Sequence, residues 1–210
     1  MMRLYYAETM MPRKVCAVAK LLDMPLDYVL VDLGKGEHRT PAFRAMNPAG
    51  KVPVLVDGDL TLSEADAIAM HLAVKAGSDL WPSDPARQVE VQRWLSFAAH
   101  ELNPQTGALY FEHIIKSHFG MGPVDAEAEA TTIKAAKRHL SVLDGRLAAS
   151  RWLAGDSLTI ADIAAGVTLP WAQKANIPLA DFAHVRRWHD ELSRLKGWLD
   201  PWPERAAAAA

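Results

Sequence analysis

A single cysteine, Cys16, stands in 210 residues, so no disulfide can form within the chain. That fits a reducing compartment, where thiols stay reduced. No stretch approaches the roughly 18 consecutive apolar residues of a membrane-spanning helix. The opening MMRLYYAETMMP carries no long apolar leader run, and the expectation is a soluble, cytoplasmic protein. A surplus of either charge is also missing: 23 basic and 25 acidic side chains leave a net charge of −2. General attraction to nucleic acid or acidic lipid needs dense positive charge and is not expected. There is no G-x-G-x-x-G pattern and no phosphate loop, which removes support for a nucleotide enzyme. His113 and His118 are five residues apart, the wrong spacing for two ligands on one helix face, and no metal site is expected.

What is present is apolar: half the residues are hydrophobic, enough for a sizeable core. RLYYA at Arg3–Ala7 reads as a strand, followed by Pro12, suited to a first helical turn, and by Val15, Val18 and Leu22 at helical spacing. LDYVLVDL at Leu26–Leu33 is nearly apolar throughout and predicts a second strand buried on both faces, parallel to the first. After a loop region, VPVLVD and LTL flank a hairpin signal at Asp57-Gly58, and a helix follows from about Ser63 to Lys75.

A turn-rich linker occupies residues 76–87, and beyond it no strand pattern occurs. Asp84-Pro85 starts a helix with the stripe Val91, Trp94, Leu95, Ala98 and Leu102, which Pro104 should kink or end. Ile133, Ala136, Leu140, Leu143 and Leu147 mark another, and Phe182, Val185, Trp188 and Leu192 the last. Between them LTIADI reads as a capping box, with Thr159 and Asp162, and a staple from Leu158 to Ile163. The expected architecture is an α/β domain at 1–77 and an all-helical domain at 85–210, ending in a frayed RAAAAA tail.

Two features of KVPVLVDGDLTLSEADAIAMHL point to chemistry. Pro53 lacks an N–H, so it suits a strand start; if the Val52–Pro53 peptide is cis, the N–H and C=O of Val52 are exposed to pair with an extended peptide. Ser63 and Asp66 read as a second capping box, with Glu64 and Ala65 as first helical residues. That helix start suits a ligand carboxylate, and Glu64 a ligand ammonium. An ordinary edge-strand proline and a glutamate that only complements the helix dipole are the competing readings. Taken together, the features describe a peptide-like ligand with an amino group and a carboxylate at one end.

The stretches GEHRTPAFRAMNPAGKVPVLVDGDLTLSEADAIAMHLA and WLAGDSLTIADI resemble the glutathione transferase family, in its bacterial theta/beta-like, Ser/Cys-type branch, over nearly the whole chain. The resemblance implies a thioredoxin-like N-terminal domain, a helical C-terminal domain and a homodimer. It implies that Val52 pairs with the cysteinyl part of glutathione beside a cis Pro53, that Glu64 meets the γ-glutamyl ammonium, and that His38, Arg39 and Lys51 lie around the glycyl carboxylate. The activating position, at the start of the first helix, falls on Thr9, whose hydroxyl would hold the sulfur as thiolate; Tyr5 and Tyr6 are runner-up donors. Met10, Met11, Tyr110, Phe111 and His113 are candidates for an apolar acceptor pocket where the domains meet, and glutathione is a co-substrate with no metal.

Two departures from the family pattern stand out. Ala65 replaces the usual serine or threonine for the γ-glutamyl carboxylate, a loss of roughly 1.5–3 kcal/mol, or about ten- to a hundredfold in affinity. Met11 stands where thiol-disulfide members carry asparagine. The expected reaction is conjugation of glutathione to small hydrophobic electrophiles; the alternatives are glutathione-dependent disulfide reduction and a noncatalytic binding or regulatory role.

Overall fold

The computed structural model describes residues 1–204; the RAAAAA stretch expected to fray lies outside them. Two compact units divide the chain. One is Met1–Ser78 joined by the chain from Leu195 onward, and the other is Asp79–Arg194. The expected split at 1–77 and 85–210 therefore differs at its far end. Trp198 is fully buried in the first unit, where its carbonyl accepts from the Arg13 guanidinium, and Trp202 stacks on Tyr6 at 6.2 Å. These tryptophans lie in a proline-containing segment without helical periodicity, so the pattern gave no sign of where they pack.

In the first unit, strand β1 (Met2–Tyr6) pairs in parallel with β2 (Leu26–Leu30), across helix α1 (Met10–Leu21). Strands β3 (Val54–Asp57) and β4 (Leu60–Ser63) form an antiparallel hairpin, and the sheet order is β2-β1-β3-β4. The two-residue loop is Gly58-Asp59, one residue later than the Asp57-Gly58 signal, and Gly58 takes the left-handed φ of 60° that the tight turn needs. β2 is only half-buried and ends at Leu30, which is 51% exposed, rather than running buried to Leu33. Its place at the sheet edge is the reason.

The expected loop after β2 contains a helix, α2 (Pro41–Met46), capped by Thr40 Oγ1, which accepts from Phe43 N at 3.3 Å. Helix α3 (Ala65–Lys75) follows β4 and packs Ile68, Ala69 and Leu72 into the core against α1. α1 is buried on nearly every side from Pro12 to Ala19, including Arg13 and Lys14.

The second unit is helical. α4 (Pro85–Phe97) starts as expected, with Asp84 accepting from Arg87 N at 2.8 Å, and its stripe is buried. Pro104 does not end the helix. A π-helical turn at Ala98–Leu102 precedes it, and the proline then sits in the first turn of α5 (Asn103–Tyr110), the wider turn accommodating a residue that cannot donate. A second π turn, Phe111–Ile115, leads to α6 (Lys116–Phe119), then α7 (Ala126–Ala149), α8 (Ile160–Ala165) and α9 (Ala183–Leu192). Leu140, Leu143, Leu147, Val185, Trp188 and Leu192 are buried at the expected positions.

Asp162 is fully buried at the start of α8 and ties this unit together. Its carboxylate accepts from Thr159 N at 3.0 Å, Thr159 Oγ1 at 3.1 Å, Leu153 N at 2.9 Å and Trp188 Nε1 at 3.0 Å. Burial lifts the carboxyl to about 6 against the opposing pull of those donors. A free aspartate titrates near ~3.9. The folded state thus holds the proton more tightly, so this group's contribution to stability is fully present below pH ~4 and falls as pH rises to about 6, by about 3 kcal/mol at most. An Asp162→Asn chain, which lacks the titration and can accept from only two of the four donors, is expected to be less stable throughout. Its deficit should narrow between pH 4 and 6, measured as urea midpoints; a constant deficit across that interval contradicts the assignment.

Candidate functional site

The sheet register decides which residues meet. Tyr5 opposes Val54 and Val54 opposes Ser63, while Tyr6 aligns with Leu30. The ends of β1, β2 and β4 and the start of β3 therefore lie at one end of the sheet. Thr9, the 37–39 turn, Lys51–Pro53 and Glu64–Ala65 all leave the sheet there, within the first unit.

The Val52–Pro53 peptide is cis, and Pro53 is buried. Among the described residues, the N–H and C=O of the half-buried Val52 have no hydrogen-bond partner. The preceding carbonyl, that of the exposed Lys51, is held by Asn47 Nδ2 at 2.8 Å, and Asn47 Oδ1 also takes Ala49 N at 3.1 Å. Gly50 has φ 60°, and a Cβ there would come within 3.0 Å of the His38 carbonyl, so the 37–39 turn passes directly beside it. His38 Nε2 accepts from Arg39 Nε at 3.1 Å, which puts the ring proton on Nδ1, a buried atom without a partner. Arg39 is exposed.

At the start of α3 the structure corrects the sequence reading. Glu64 is not in the helix: it has φ 71° and ψ 115°, and its carbonyl accepts the first helical bond, from Ile68 N at 3.0 Å. Its side chain is exposed, and Ala65 is the first helical residue. The Ser63–Asp66 capping box is not formed, because Asp66 Oδ1 instead takes Lys14 Nζ at 2.8 Å. Lys14 has a side chain only 4% exposed, and a buried cation without a counter-charge costs far more than a missing cap. A basic residue inside the apolar run of α1 was the available signal for this pair. Asn47, the clamp on Lys51, is the other residue the sequence reading passed over.

Thr9 precedes α1 in extended conformation. Its carbonyl accepts from Arg13 N at 3.1 Å, but its hydroxyl makes no capping bond. The alternative donors are engaged elsewhere. Tyr6 is buried against Tyr28 and Trp202, whereas Tyr5 packs edge-on to Phe43 at 6.3 Å. Met10 and Met11 are half-buried in the first turn of α1.

Tyr110, Phe111 and His113 belong to the second unit. Tyr110 is buried with its ring 5.0 Å from Trp171, and Phe111 is 42% exposed. His113 Nε2 lies 2.6 Å from Glu129 Oε1, which also accepts from Asn176 Nδ2 at 2.7 Å. Among the described residues, no three His, Cys, Asp or Glu side chains converge as metal ligands, and no helix is long and apolar enough to cross a membrane.

A thioredoxin-like sheet with a cis-proline strand, joined in sequence to an all-helical unit, is the glutathione transferase fold. The family models agree: the glutathione S-transferase N-terminal domain matches residues 2–74 and the C-terminal domain residues 125–200. Glutathione S-transferase 3 of Zea mays is 34% identical over 197 residues, spanning 90% of this chain and 87% of its own. Glutathione transferase F7 from Populus trichocarpa superposes with a TM-score of 0.89 at 25% identity, over 96% of this chain and 97% of that one. A glutathione S-transferase-I bound with lactoylglutathione gives 0.85 at 25% identity, over 92% and 94%. The chain belongs to the glutathione S-transferase family. Maize and poplar are the sources of the first two relatives, so the similarity fixes the family and not the bacterial theta/beta-like branch within it.

Cys16 is fully buried in α1, and burial pushes its thiol up to about 12. The native protein is therefore expected to leave a disulfide reagent such as Ellman's unreacted at pH 8 and to react with one equivalent once unfolded in guanidinium. Rapid native reaction contradicts the burial.

Proposed function

We propose that the chain binds glutathione at the β1–β3–β4 end of its sheet and transfers the thiolate to an electrophilic carbon of small hydrophobic molecules. The observation that carries this reading is the uncommitted Thr9 hydroxyl at the start of α1, at the same sheet end as the unpaired backbone groups of Val52. Val52 pairs with the cysteinyl segment as one rung of an added strand. Glu64 receives the γ-glutamyl ammonium, and the Ala65 amide at the start of α3 receives the adjacent carboxylate. Lys51 and Arg39, with His38 beside it, supply cationic donors for the glycyl carboxylate.

The thiol proton leaves to solvent. The Thr9 O–H then donates to the sulfur anion, aided by the positive end of α1. The carbon–sulfur bond forms as the leaving group departs with its electron pair. An alkyl thiol starts near ~8.5, and lowering it by about two units takes roughly 2.7 kcal/mol of preference for the anion, within reach of one charge-assisted hydrogen bond plus a helix dipole. Acceptor-binding roles for Met10 and Met11 of the first unit and for Tyr110, Phe111 and His113 of the second, the homodimer, the cytoplasmic location and the serine/cysteine-type branch with threonine at the activating position are parts of the same proposal.

Thr9→Ala is expected to raise the bound-thiol pKa by about one to two units and to lower kcat/KM about ten- to a hundredfold, with Thr9→Ser close to the parent. Ultraviolet thiolate absorbance and conjugation of an aryl halide measure the two. Unchanged values for Thr9→Ala overturn the role of Thr9.

A further inference from the structure

Lys14 lies in the most apolar stretch of α1, beside Val15, Cys16, Ala17 and Val18, and its side chain is 4% exposed. Its Nζ is 2.8 Å from Asp66 Oδ1 across the α1–α3 contact, and Asp66 keeps 27% of its side chain exposed. Asp66 is the second residue of α3, next to Ala65. A carboxylate in a helix's first turn favours the helix, yet it repels an anionic ligand that comes to the same amides. Lys14 cancels that charge from the protein side without presenting a cation to solvent. The need is sharpened at this position, because Ala65 offers only its N–H where a hydroxyl would add a bond.

We propose that Lys14 is a positioning residue for the γ-glutamyl end of glutathione. It neutralises Asp66, so that the start of α3 accepts the ligand's α-carboxylate. This inference rests on the glutathione-binding reading above. It concerns KM, not thiolate formation.

The test compares glutathione with an analogue whose γ-glutamyl α-carboxylate is replaced by hydrogen. Lys14→Met is expected to raise KM for glutathione about five- to twentyfold, from one uncancelled charge within a helical turn of the ligand carboxylate. KM for the analogue should move less than about twofold, with kcat and the bound-thiol pKa near the parent values. The double variant Lys14→Met/Asp66→Asn should bring KM for glutathione back to within about threefold of the parent. If Lys14→Met does not fold, Lys14→Gln, which removes the charge but can still hydrogen-bond Asp66, is read in its place and should give the same rise in the KM ratio of glutathione to analogue. An equal KM rise for both thiols, or a double variant no better than Lys14→Met, overturns the proposal and leaves a structural brace. Failure of the unsubstituted chain to bind glutathione by calorimetry overturns the binding reading and this inference together, whereas normal binding with an unchanged KM ratio overturns this inference alone.

Discussion

The pairing of β3 between β1 and β4 is the constraint on which the ligand end of the molecule depends. It places the residue before Val54 beside the end of β1 on one side and the end of β4 on the other. A slip of one residue would turn the buried Val54 and Leu55 to the wrong faces, so the core enforces the register. Three segments distant in sequence, around Thr9, Val52 and Glu64, are thereby brought to one end of one sheet. Because α1 follows β1 and α3 follows β4, both helices also begin at that end, each with its positive pole there.

The chain adds few charges to this arrangement, and those it adds are held in place. Arg39 is backed by His38, Lys51 is fixed through its carbonyl by the buried Asn47, and Asp66 is balanced by Lys14. A pair such as Lys14–Asp66 adds little net stability against an apolar alternative, but breaking it costs several kcal/mol. Its value lies in orientation.

Most of the fold could be read from the residues, since hydrophobic period and turn chemistry report directly on elements. The parallel βαβ unit, the hairpin, the Asp84-Pro85 helix start and the Thr159–Asp162 box follow from such local rules. α2 obeys the same cap-then-proline rule at Thr40-Pro41, and was passed over because no apolar stripe follows it. The edge position of β2, the return of Trp198 and Trp202 to the first unit and the π turn ahead of Pro104 depend on neighbours far away in sequence, which no local pattern contains. The site divides in the same way. Pro53 and Glu64 are conspicuous for being out of place in a strand and at a helix start. Lys14 meets Asp66 only after α1 and α3 have packed, and Glu64 stands outside the helix with φ 71°.

Helix capping bears on where a ligand is expected. Thr40, Asp84 and Asp125 cap α2, α4 and α7 with their side chains; α8 has Asp162, and α9 is served by Asp144, which accepts from His184 N and Val185 N. At α1 and α3 the residue in the cap position makes no side-chain bond, although Thr9 has a hydroxyl suited to one. A cap contributes about 1 kcal/mol, so both starts forgo stabilisation that the starts of α2, α4, α7, α8 and α9 collect. These are also the two helices that begin at the convergent end of the sheet. Amides and a hydroxyl left without local side-chain partners at one place offer their hydrogen bonds to an incoming molecule, and an anionic tripeptide thiol supplies a sulfur for one start and a carboxylate for the other.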